Sequence, residues 1–159
     1  MDLRTYAENG NLEGVKNCLE NGANIHAYND YALRWSSRNG HLEIVKLLLE
    51  NGANIHAGDD IYADYGALRL SALNGHLEIV KYLLQNSANI YVDNAYALRR
   101  SAENGHLEIV KYLLQNGADI HANDDNALKK AIIYGKHDVV DFLTNFNPIT
   151  RIKSAKKQT

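Results

Sequence analysis

Apolar and polar positions along this chain follow one order that keeps returning. The segment HLEIVKYLLQNG, from His106 to Gly117, recurs from His76 to Ser87 and from His41 to Gly52. Worn copies run from Asn11 to Gly22 and from Lys136 to Asn147. Within one copy, Leu42, Val45, Leu48 and Leu49 fall at i, i+3, i+6 and i+7, the spacing of one apolar helix face. Ile44 and Leu47 lie off that stripe, which predicts a helix sandwiched between neighbours on both sides. Before each copy stand about eight residues with a short apolar face, as in Ala32 to Ser37, Ala67 to Ala72 and Ala97 to Ala102. Asn-Gly pairs follow at Asn39-Gly40, Asn74-Gly75 and Asn104-Gly105, and glycine after a helix is a common left-handed stop. A second Asn-Gly closes the longer helix at Asn51-Gly52 and Asn116-Gly117. Each unit therefore predicts helix, tight turn, helix and a connection such as residues 53–57.

The glycine before each copy supplies a ruler. Gly10, Gly40, Gly75, Gly105 and Gly135 are spaced by 30, 35, 30 and 30 residues, a period typical of solenoids. Isolated helices this short are marginal in water, so the units must stack in order to fold. The units are expected at 1–30, 31–65, 66–95, 96–125 and 126–147, with a basic flexible tail at 148–159. Columns change at the ends. Lys16, Lys46, Lys81 and Lys111 give way to Asp141; Leu49, Leu84 and Leu114 give way to Thr144; and Gly14 replaces Ile44. End repeats need a more polar outer face, so residues 1–27 and 127–147 are expected to be caps.

The run from Asn104 to Ala122 (NGHLEIVKYLLQNGADIHA) resembles the second half of the ankyrin repeat. The likeness recurs five times over residues 2–147. The first half departs from the family's Thr-Pro-Leu-His: this chain has Tyr31 to Arg34 (YALR), Gly66 to Arg69 (GALR), Tyr96 to Arg99 (YALR) and Asn126 to Lys129 (NALK). Three of the four spacings fall three short of the usual 33. The resemblance thus implies an all-α ankyrin-repeat solenoid of five stacked helix–turn–helix units with mostly shortened β-hairpin fingers. The dialect is also similar to the ankyrin arrays of giant DNA viruses. By resemblance, such arrays bind proteins through the concave side, formed by fingers and first helices, and have no catalytic activity. A viral array would place the partner, host or viral, in the infected cell's cytoplasm.

Composition adds limits. Of 159 residues, 45% are hydrophobic and 23% charged, an ordinary soluble balance. No apolar run approaches the ~20 residues of a membrane span, and no secretory leader is expected. One cysteine, Cys18, leaves no internal disulfide and suits a reducing compartment. The net charge of −2 is uneven: Arg151, Lys153, Lys156 and Lys157 put +4 on the last residues and leave −6 on 1–150.

Seven histidines raise the question of metal. His41, His76 and His106 form one column, while His26, His56 and His121 form another, interrupted by Tyr91. Stacked helices sit roughly 8–10 Å apart, too far for side chains one unit apart to meet around one ion at about 2.0–2.1 Å. Turn capping and hydrogen bonding between units are expected of them instead. Cys18 aligns with Leu48, Leu83 and Leu113 and reads as a small core hydrophobe. The chain is read as a non-enzyme without a cofactor or metal.

Three features mark where a partner would dock. The long connection from Gly58 to Gly66 carries Ile61, Tyr62 and Tyr65 among aspartates, and loops on a rigid scaffold often carry function. The column Thr5, Trp35, Leu70, Arg100, Lys130 varies between units, as does the column of pairs Glu8-Asn9, Arg38-Asn39, Leu73-Asn74, Glu103-Asn104, Ile133-Tyr134; Trp and Arg are frequent hot spots. From these, Trp35, Arg38, Ile61, Tyr62, Tyr65, Leu70, Leu73, Arg100, Glu103 and Lys130 are the expected partner-binding residues. The third feature is a basic row, Arg4, Arg34, Arg69, Arg99 and Lys129, each with aspartate just before it. Pairing of these opposite charges across units is expected, with anion or nucleic-acid binding as the alternative, set against a net acidic body. A repeat scaffold without any ligand is the other alternative. A monomer that binds a protein, and neither membrane nor nucleic acid, is the resulting expectation.

Overall fold

The computed structural model describes residues 2–58, 66–91 and 96–146. The insertion carrying Ile61, Tyr62 and Tyr65 and the tail 148–159 lie outside the described residues. Ten helices are found among the described residues: α1 (Leu3–Glu8), α2 (Leu12–Glu20), α3 (Ala27–Arg38), α4 (Leu42–Glu50), α5 (Ala67–Leu73), α6 (Leu77–Gln85), α7 (Tyr96–Asn104), α8 (Leu107–Gln115), α9 (Ala122–Ile133) and α10 (His137–Asn145). Each odd-numbered helix packs on the even-numbered helix that follows it, and on the odd-numbered helices of its neighbours. The even-numbered helices form a second layer whose members touch more sparsely.

Small side chains explain that difference. Ala7, Ser37, Ala72 and Ala102 occupy one position in four successive odd-numbered helices and are all fully buried. They let those backbones approach closely, in keeping with the denser packing of the odd-numbered layer. The even-numbered helices bury the main apolar side chains, among them Val15, Ile44, Leu48, Ile79, Leu83, Ile109 and Leu113. Leu42, Leu47 and Leu49 are partly buried against the same core, as a sandwiched helix requires. Outward, Lys16, Lys46, Lys81 and Lys111 each reach a glutamate three residues earlier at 2.7–2.8 Å. This solvated face contributes little energy, but it accounts for the repeating lysine.

The turn inside each unit links it to the one before. Gly40 takes a left-handed φ of 84°, and His41 then begins α4 with no side-chain cap. The expected capping role of these histidines is not found; their rings reach across the stack instead. His41 Nε2–H donates to the Glu8 carbonyl (3.0 Å), His76 to Arg38 (2.8 Å) and His106 to Leu73 (3.1 Å). A carbonyl can only accept, so Nε2 carries the proton in each. The expected hydrogen bonding between units is therefore present. In the last unit Lys136 takes the histidine's place and lays its stem against Gly105.

The clipped connections form no strand among the described residues. In α3 the chain passes through three left-handed residues, Tyr28, Asn29 and Asp30 (φ 55°, 57° and 51°), and α9 repeats this at Asn123, Asp124 and Asp125. Such a conformation costs roughly 1–2 kcal/mol per non-glycine residue, so it needs support. Arg34 provides it, donating from Nε to the Asn29 carbonyl (2.7 Å) and from Nη2 to the Tyr28 carbonyl (2.9 Å). Asp30, 3% exposed, accepts from His26 Nδ1 (3.1 Å) and from the Asn54 backbone N–H of the next unit (2.8 Å).

The first and last described units differ from the middle ones. At Gly14, an added Cβ would lie 2.3 Å from the Tyr6 ring, which fills the room isoleucine takes in other units. In the last unit His137 and Thr144 are exposed where the middle units have leucine. The small buried position of the odd-numbered helices becomes Ile132 there, 58% exposed.

Candidate functional site

The two variable columns lie three residues apart on the odd-numbered helices, so they share one face. In α3, Trp35 stacks on Tyr31 with ring centroids 4.2 Å apart and planes at 10°. The Arg34 guanidinium sits 5.1 Å from the Trp35 ring. Tyr31 donates its hydroxyl to Glu8 Oε2 at 3.1 Å; burial, then this bond to a carboxylate, pushes the phenol's ionisation above its ordinary range. Trp35 is therefore a half-buried plate held from behind. Arg38, one turn on, is exposed and has no side-chain partner among the described residues.

The neighbouring units fill the same face differently. Leu73 is half-buried. Leu70, expected to meet a partner, is 4% exposed and packs within the stack, so its side chain offers almost no surface. In α7, Arg100 Nη1 donates to Glu103 Oε2 at 2.9 Å. Its guanidinium lies 5.1 Å from the Tyr96 ring, which Arg99 and Arg69 also approach, at 4.8 and 5.6 Å. Desolvation lowers the proton affinity of Arg100, but bonds to Tyr96 and Glu103 outweigh it and the net shift is upward. Arg100 and Glu103 are thus paired through Nη1, while Arg100 Nε is buried without a hydrogen-bond partner. Lys130 lies 5.7 Å from the Tyr134 ring. Trp35 and Arg38 lie on α3 and Leu73 on the adjoining α5, while Arg100 with Glu103, and Lys130, occupy the same columns on α7 and α9.

The basic row is a framing element whose bonds at Arg34 and Arg69 go to backbone carbonyls, while the aspartates at 59, 60 and 93 expected to pair with it lie outside the described residues. Arg34 and Arg69 are 8% and 2% exposed. Arg34 holds backbone carbonyls, as above, and Arg69 Nη2 donates to the Gly58 carbonyl at 2.8 Å. Asp30 serves His26 and Asn54 rather than Arg34. Arg4 does pair with an aspartate, Asp2 at 2.6 Å, within its own unit. The Asp2 carboxyl is held well below its usual range by the Thr5 backbone N–H and then by Arg4.

At the end of this face stand Ile133 and Tyr134, which belong to the second variable column without being among the expected partner-binding residues, and Ile132, which the sequence reading missed. Ile132, Ile133 and Tyr134 are 58%, 71% and 51% exposed. The signal was present: Ile132 breaks the small column of Ala7, Ser37, Ala72 and Ala102, and Tyr134 breaks the column of Asn9, Asn39, Asn74 and Asn104. Among the described residues, no group of three or more His, Cys, Asp and Glu is placed to hold a metal ion. The Cys18 thiol is half-buried at the core edge.

Helical pairs stacked in register and tied by side-chain bonds to the preceding unit's backbone define a helical-repeat scaffold. The family model for ankyrin repeats (3 copies) matches residues 3–94 and again 68–153, and the chain belongs to this family. Ankyrin repeats are generally protein–protein interaction modules, and proteins built of them are typically non-enzymatic scaffolds. No curated protein matched the chain. Among the described residues, no helix is long and apolar enough to cross a membrane.

Proposed function

We propose that this chain captures a partner protein on the face formed by its odd-numbered helices, with Trp35, Arg38 and Leu73 at the centre. One observation carries the reading. Residues that hold the stack repeat from unit to unit, while this face presents a braced indole plate beside an exposed arginine with no partner among the described residues. Trp and Arg are the side chains that most often anchor protein interfaces, and the Tyr31–Glu8 brace lowers the entropy lost when Trp35 is covered. Ile61, Tyr62 and Tyr65, expected from the sequence to meet the partner, belong to the same proposal. The dialect shared with giant-virus arrays extends it to a host or viral partner in the cytoplasm. Burial of Arg34 and Arg69 counts against the basic row as an anion site.

The test is affinity capture from cell lysate by the wild-type chain and by a Trp35→Ala, Arg38→Ala, Leu73→Ala variant. Circular dichroism on both controls for folding. A protein retained by the wild type and lost by the folded variant supports the reading. Equal retention by both moves docking off this face and overturns it.

A further inference from the structure

The last described unit carries an apolar surface that the proposed function does not use. We infer that Ile132, Ile133 and Tyr134, with Lys129 and Lys130, form a second docking surface, whose occupant is an acidic amphipathic segment of a partner protein. The three residues are consecutive at the end of α9 and all more than half exposed. Contiguous apolar exposure of this kind marks an interaction surface more often than scattered single residues do. The other helix of this unit is polar by contrast, with Thr144 and His137 exposed where the middle units have leucine.

Charge selects the occupant. Lys129 precedes Ile132 and Ile133 by three and four residues, and Lys130 precedes Ile133 and Tyr134 by the same intervals, so each lysine adjoins the patch along the helix. Lys136 enters from the following turn. None of these three forms an ion pair among the described residues, whereas the lysines of the even-numbered helices from α2 to α8 each hold a glutamate. Asp125 in the same helix is already engaged by His121 at 2.6 Å. The remaining acidic residues of the two helices' first turns are Asp124 in α9 and Asp138 in α10, and neither forms an ion pair with these lysines among the described residues. A second copy docked face to face would set lysine against lysine. The chain's own tail would bring Arg151, Lys153, Lys156 and Lys157 to a basic rim. An acidic segment with apolar side chains at helical spacing fits both the surface and the charge.

The experiment is a titration of the isotopically labelled full chain with two synthetic amphipathic peptides. Both carry leucine at i, i+3, i+4 and i+7; the other positions are glutamate in one and lysine in the other. The glutamate peptide should shift amide resonances over residues 129–138 and leave those around Trp35 unmoved. Ile133→Asp should weaken its binding by about tenfold or more, since that side chain is the most exposed of the three. Lys129→Glu with Lys130→Glu should reverse the preference toward the lysine peptide. Equal binding of both peptides, shifts centred elsewhere, or no shift at millimolar peptide would overturn the inference. So would a dimer in sedimentation that Ile133→Asp dissolves, or movement of the Ile132 and Ile133 resonances on Ile149→Asp with Ile152→Asp; these would assign the patch to a second copy or to the tail.

Discussion

The bond from each histidine to the preceding unit can be isolated by adding one methyl group. At Gly40 the φ of 84° is left-handed, and an added Cβ would lie 2.8 Å from Cε1 and Nδ1 of the His76 ring. Gly52 has a similar φ of 91°, but no heavy atom within 4 Å of the Cβ position. Placing alanine at either site costs roughly 1–2 kcal/mol for the backbone alone. At Gly40 the ring must also move off the Arg38 carbonyl, which it reaches at 2.8 Å, and such a bond is worth about 0.5–1.5 kcal/mol net. Gly40→Ala should therefore destabilise by ~1 kcal/mol more than Gly52→Ala, a difference of about 0.3–1 M in urea midpoint for a slope of 1–3 kcal/mol per M. Urea unfolding followed by circular dichroism reads both variants. In a His76→Ala background the excess should vanish, because the ring that is struck is gone. Equal costs for the two glycines, or an excess that survives removal of the ring, would refute the account.

Three further outcomes follow from the packing. Leu83 is fully buried and Leu84 only partly, so Leu83→Ala should cost about 2–5 kcal/mol and Leu84→Ala less, by the same urea assay. Arg34→Met keeps the side-chain stem but leaves the Tyr28 and Asn29 carbonyls without their buried donors; it should lose about 1–3 kcal/mol and speed amide exchange at residues 28–30. Tyr31 ionises at a higher pH when folded than when unfolded. Its contribution is thus complete below the unfolded value near ~10 and lost as pH rises through the folded one. Stability measured from pH 9 upward should fall less steeply in Tyr31→Phe than in the wild type.

Much of the site was legible because variation against a repeating background is visible in one chain. Trp35 and Arg38 stand out as departures in their columns, and the fold places them on one face. Leu70 departs in the same way yet is buried, since the column alone does not say how closely two helices approach. The histidine column announced a common role, but which atom each ring reaches depends on a neighbour more than 30 residues away. The arginine row announced a common role as well; that Arg34 holds the carbonyls of Tyr28 and Asn29 follows from a left-handed turn that Asn29 and Asp30 tolerate but that their columns did not announce.

By itself the sequence determined the helices, their order and their need to stack, because those follow from apolar spacing, glycine placement and a period repeated within the chain. The tertiary structure alone decided which polar side chains became internal struts, which half-buried aromatic was braced as a plate, and that Ile132 to Tyr134 are left uncovered. Those outcomes depend on distances between units, and a distance between residues far apart in sequence is fixed only when the whole stack packs.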